Sequence, residues 1–220
     1  MTSPKYIQSQ LRSLTSHFIE HSLCNDQNFP AIRKLNNGIT EVGFSQAGDL
    51  SIVLKDRPYT EIYHEMMKGR LFSLKMVDGA LIQMMYQFQK DEILSHRLAF
   101  FPSPDLEEYQ NNPEIYLEDS IYADIVAKSL VPFPVRFDFD NNPGVAQPIT
   151  HPRSHLTLGQ YKNCRIPVSA ALMPKQFLYF VLRNFYNTAF VEYFEQTQEP
   201  DERFPSSLFE PEKHITHLVV

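Results

Sequence analysis

The chain has 220 residues, a net charge of −6, 43% hydrophobic residues and 21% charged ones. This mix excludes a disordered or fibrous polymer, and the length suits one domain that buries a core of its own without staples. Two widely separated cysteines, Cys24 and Cys164, exclude a cysteine-rich zinc module and suit a reducing compartment.

The apolar run at 177–182 is six residues, against about 20 for a membrane span. The first ten residues lack the apolar centre of a signal peptide. The expectation is a cytoplasmic protein with no membrane attachment. Charge is uneven. Residues 98–127 carry seven acidic and no basic side chains, while 128–183 carry seven basic and two acidic ones. A positive segment inside an acidic chain can meet phosphate or an acidic partner, or neutralise its neighbours.

In chain order, Ser3-Pro4 reads as a helix start, followed by Ile7, Leu11, Leu14 and Phe18 on one face, with a stop near Cys24. Residues 39–44 and 50–54 read as strands around a Gln46-Ala47-Gly48-Asp49 turn, and 59–67 as a short helix. The clearest hairpin is 72–77 and 80–89 around Asp78-Gly79, with a type I′ turn expected. Another strand, 93–101, follows. Residues 102–134 form an acidic, Pro-punctuated excursion with a helix at 120–128. A strand is expected at 135–139, a loop at 140–152 and a last strand at 161–168. Pro174 opens a second long helix running to about Gln196, apolar around more than one stripe. The segment 197–220 is an extended tail. The predicted fold is a single α+β domain, 1–220: a curved antiparallel sheet of about six strands packed with an N-terminal and a C-terminal long helix.

Chemistry concentrates in 136–167. Asp138 and Asp140 are two apart on a strand and share a face, with Phe137 and Phe139 on the other. His151 and His155 follow. If Pro152 opens a helical turn, the two imidazoles lie on one side. Arg153, Lys162 and Arg165 add positive charge. These parts suit general acid–base cleavage of a phosphodiester, with His151 and His155 as acid and base, an Asp orienting one of them, Arg165 and Lys162 on the phosphate, and Arg153 beside the substrate. Asp138, Asp140, His151 and His155 suit a divalent metal equally, and a hydrogen-bonded structural loop is the third reading.

Two other patterns stand apart. His17-Phe18-Ile19-Glu20-His21 matches the H-x-x-E-H form of the inverted zinc peptidases. His155-Leu156-Thr157 and His214-Ile215-Thr216 resemble the paired H-x-T motifs of two-histidine phosphoesterases. No Walker loop, Gly-rich dinucleotide fingerprint or G-x-S-x-G motif occurs in the sequence.

The order Phe137-Asp138-Phe139-Asp140, His151-Pro152-x-Ser154-His155, Gly159, Cys164-Arg165-Ile166-Pro167, Pro174, Phe177 and Asn184-Phe185-Tyr186 resembles a bacterial family catalogued as a domain of unknown function. The resemblance covers most of the chain and implies a prokaryotic cytoplasmic protein, with no activity attached. Asp138, His151, His155 and the element order are also similar to TumE-type proteins of toxin–antitoxin pairs. Two functions follow as expectations. One is a metal-independent nuclease or phosphodiester-acting effector of a toxin–antitoxin or phage-defence system, with nucleic acid as partner. The other is a non-catalytic interaction subunit that docks a protein encoded nearby, drawing on 17 Phe, 11 Tyr and the acidic segments.

Overall fold

A computed structural model describes residues 2–44, 57–104, 133–161, 163–195 and 202–220. The first helix, α1, is Pro4–Glu20, and the Ser3 hydroxyl caps it by accepting from the Tyr6 N–H. Its buried residues include the predicted Ile7, Leu11, Leu14 and Phe18. Two short strands then appear that the sequence pattern did not signal, β1 (Cys24–Gln27) and β2 (Pro30–Lys34). Next come β3 (Ile39–Phe44) and α2 (Tyr59–Gly69), both as expected. Strands β4 (Leu74–Met76), β5 (Leu81–Gln89) and β6 (Glu92–Phe101) follow, then β7 (Val135–Asp140), β8 (Ser154–Leu158) and β9 (Ile166–Pro167). The predicted strand at 50–54 and helix at 120–128 lie outside the described residues.

The fold is α+β, a curved antiparallel sheet packed with helices as expected, with nine strands among the described residues where about six were expected. The path is β1-β4-β5-β6-β7-β8-β9, and β3 with its partner β2 joins the far half of β5. Strand β5 is buried along nearly its whole length because neighbours pair with both its edges and side chains cover both its faces.

The hairpin at Asp78-Gly79 has a three-residue loop, not a type I′ turn. Gly79 N–H bonds the Met76 carbonyl and only Gly79 (φ +88°) takes positive φ, which is a turn closed by a left-handed glycine. Asp78 is buried and accepts from the Ala80 N–H at 3.0 Å and from the Tyr186 hydroxyl at 2.8 Å.

The C-terminal helix is broken in two: α3 (Pro174–Phe185) and α4 (Asn187–Tyr193). The break falls at Tyr186, whose backbone leaves the helical region (φ −137°, ψ 53°) while its hydroxyl reaches Asp78. The expected strand at 161–168 shrinks to β9. Of the tail, residues 202–220 are described: Leu218 bridges Val168, Ser206 bridges Ala170, and 210–214 forms a 3-10 turn.

Side-chain alternation gives the sheet two different faces. Ile82, Met84, Tyr86, Leu98, Phe137 and Leu156 point to α1 and α3, forming the main core with Phe18, Phe177 and Leu182. Each fully buried residue of this size contributes roughly 1.5–3 kcal/mol. On the opposite face, α2 seals one end, packing Ile62, Tyr63 and Met66 on Leu81, Met85, Ala99 and Phe101. Beyond α2, that face carries polar side chains and borders a cleft. Among the described residues no helix is long and apolar enough to cross a membrane.

Candidate functional site

The cleft has a volume of about 830 Å³. Its floor is set by strand register. Met85, Arg97, Asp138 and His155 form one row across β5–β8, Gln87, Ser95 and Asp140 a second, and Ala99, Arg136 and Thr157 a third. Residues paired across adjacent strands lie roughly 5 Å apart, so three rows place charges of both signs within one small area.

Most of the acidic groups are already engaged. Asp138 faces Arg97, with Nε 3.4 Å from Oδ1. Glu41 pairs with Arg33 and accepts from the Gln87 amide at 3.0 Å. Asp140 accepts from the Asn142 backbone N–H and side-chain amide, both at 2.8 Å. Arg136 differs, because its buried Nε finds no hydrogen-bonding partner among the described residues. Burial lowers the Arg136 pKa, with Asp138 pulling it back up. Arginine stays charged even so, because its ordinary value lies so high. Arg165 lines the cleft too, with one N–H directed to the Thr150 carbonyl at 3.5 Å.

The two imidazoles do converge, with ring centroids 5.3 Å apart. The route differs from the expected helical turn. His155 sits in β8 as the register partner of Asp138, and His151 is held by a bridge to Gln147 that closes the preceding loop. Each ring directs Nδ1 to a backbone carbonyl, His151 to Val145 at 3.0 Å and His155 to Pro152 at 2.9 Å. A carbonyl only accepts, so each Nδ1 carries a hydrogen, and Nε2 is the atom of each ring left to take up or release a proton. Backbone carbonyls, not Asp138 or Asp140, orient these rings. Burial pushes the His155 pKa below the ordinary histidine value, with Asp138 opposing. His155 is therefore neutral at pH 7, as a base must be.

The loop bearing His151 is held from a distance. Ile149 has positive φ (66°), unfavourable for a β-branched residue, and its N–H donates to Glu212 Oε1 at 3.0 Å. Glu212 is buried, and its other oxygen accepts from the Phe209 N–H.

Of the predicted site residues, Asp138, Asp140, His151, His155 and Arg165 all line the cleft. Arg153 is not among the cleft-lining residues; its guanidinium lies over the Phe209 ring at 4.6 Å. Lys162 falls outside the described residues. The donor atoms of Asp138, Asp140, His151 and His155 do not close into a set of three within ligand distance of one another; among the described residues only His17, Glu20 and His21 do so. His214, of the second H-x-T copy, is exposed beside Glu210 and does not line the cleft with His155 and Thr157. Arg97, Arg136, Glu41, Gln87, Ser95 and Tyr59 were not foreseen as lining residues. The only signal for the strand residues among them was a polar side chain on alternate positions of a strand.

A family model described as an uncharacterised conserved protein (DUF2290) matches residues 23–220. The chain belongs to the DUF2290 family. No curated protein and no solved structure matches it. The DUF2290 match spans every strand and all the cleft residues named above, and leaves out the whole of α1. It attaches no activity, so a functional reading rests on the cleft itself.

Proposed function

We propose that the cleft binds a phosphodiester and cleaves it by general acid–base catalysis between His155 and His151. The observation that carries this reading is the imidazole pair, 5.3 Å apart, with both Nδ1 atoms tied to carbonyls on the same wall as the partnerless Nε of Arg136. His155, neutral through burial, takes the proton from the attacking hydroxyl or water at Nε2. His151, in the form that carries a second proton on Nε2 while Nδ1–H stays on the Val145 carbonyl, gives that Nε2 proton to the departing oxygen. Arg136, with Arg165 beside the rings, stabilises the charge that builds on the phosphoryl oxygens, where buried donors act most strongly. Arg97 and Asp138 hold each other and keep the floor rigid.

Nucleic acid is the substrate class with this chemistry, and a nucleic-acid-cleaving effector of toxin–antitoxin or phage-defence type would use it. The test incubates labelled RNA and DNA with wild type, His155→Ala, His151→Ala and Arg136→Met. Wild type cuts, and each histidine variant loses about 10²–10⁴-fold in rate, the usual contribution of a positioned acid or base. Equal cutting by wild type and His155→Ala, or none by either, removes the reading.

A further inference from the structure

His17 and Glu20 lie on the last turn of α1 and His21 is its C-cap, all outside the cleft lining. Each offers one ligand atom within 4.8 Å of the other two. His17 Nδ1 is 3.8 Å from Glu20 Oε2. The other ring nitrogen of His17, Nε2, meets the Tyr193 carbonyl at 3.2 Å. That carbonyl accepts only, so Nε2 carries the hydrogen and Nδ1 keeps its lone pair on the Glu20 side. An imidazole whose far N–H is held by a carbonyl is the support that metal-ligating histidines have. The His21 ring is oriented as well: it stacks on Tyr193 at 4.3 Å and meets His17 edge-on at 4.4 Å. Phe194 closes the other side of His17 at 4.7 Å. Residues at the end of α4 therefore hold the side chains of His17 and of the C-cap His21 in place before any ligand arrives.

We propose that His17, Glu20 and His21 bind a divalent first-row metal ion, zinc above all, with water completing the coordination. Two imidazoles and a carboxylate suit zinc in charge and softness. Tetrahedral bonds of about 2.0–2.2 Å put neighbouring ligand atoms roughly 3.3 Å apart. The His17–Glu20 separation is already close to that, and Glu20, with a side chain 73% exposed, is able to turn inward. The three donors come from a single helical turn, whereas H-x-x-E-H peptidases take a ligand from another helix, so the proposal is binding and not proteolysis. Through His17 and Tyr193 the ion would clamp the end of α1 to α4.

The test strips the full chain with a chelator, then titrates zinc by calorimetry and cobalt by visible absorption. Wild type binds one zinc equivalent with micromolar or tighter affinity, gives tetrahedral cobalt bands and melts at a higher temperature with zinc. The double variant His151→Ala/His155→Ala behaves the same. His21→Phe, which keeps an aromatic ring on Tyr193 and so preserves the fold, loses at least about tenfold in affinity, as does Glu20→Gln. Three results overturn the proposal: no zinc binding by wild type, His21→Phe binding like wild type, or binding lost only when the cleft histidines are removed.

Discussion

His96 is where acid should weaken the fold. It is buried in β6, edge-on to Tyr86 and close to Phe139, and its Nε2 accepts the Leu172 N–H at 3.0 Å. A proton on Nε2 would turn that acceptor against a donor. Burial accordingly lowers its pKa from 6.5 to about 4, with Asp138 opposing. The unfolded chain takes this proton as pH falls through about 6.5, and the folded chain refuses it until about 4. Stability from this group is thus complete above 6.5, declines between 6.5 and 4, and is gone below. At about 1.4 kcal/mol for each tenfold change in proton affinity, the loss is about 3 kcal/mol. His96→Gln keeps an oxygen able to accept from Leu172 but does not ionise. Urea unfolding of both proteins across this pH range should show wild type losing about 3 kcal/mol more than the variant. Parallel stability curves for the two would refute the reasoning.

Tyr186→Phe removes a hydroxyl donor from the buried Asp78 carboxylate and should cost about 1–3 kcal/mol in urea unfolding; an unchanged midpoint would show that the pair contributes nothing. Gly79→Ala forces a side chain onto φ +88° and sets its Cβ 3.1 Å from Ser103 Cβ, whereas Gly144→Ala meets the same backbone penalty in open space. Each should lose about 1–2 kcal/mol from backbone strain, and the excess at Gly79, read from the two melting temperatures, reports the collision.

The parts of the fold that were legible in sequence are those where one face is buried and the other is not. The alternation of Phe137 and Phe139 with Asp138 and Asp140 placed two carboxylates on one surface, and β7 obeys it. The short strands β1 and β2 are largely half-buried, so neither has the contrast that periodicity needs. The spacing of His151 and His155 suggested a helical turn, because Pro at position 152 and a four-residue step fit one. An extended strand approached by a tight bridge brings the same rings together, and spacing cannot separate the two routes. Arg97 and Arg136 were invisible because a lone arginine in a strand shows its role only once its cross-strand neighbours are known. Arg153 precedes the first residue of β8 and escapes the alternation, which is why it finds Phe209. The break at Tyr186 depends on Asp78, 108 residues earlier, a partner no local pattern contains.

Glu212 carries a consequence for how this protein will respond to random mutagenesis. Both of its oxygens are engaged by main-chain donors, one of them on the strained residue just ahead of His151. A chain shortened after α4 would retain each cleft side chain named here and still lose the carboxylate that seats the loop. On the proposed function, screens for inactive alleles should therefore recover stop codons and Glu212 replacements alongside the histidines. Such alleles would report on a distant anchor and not on the chemistry.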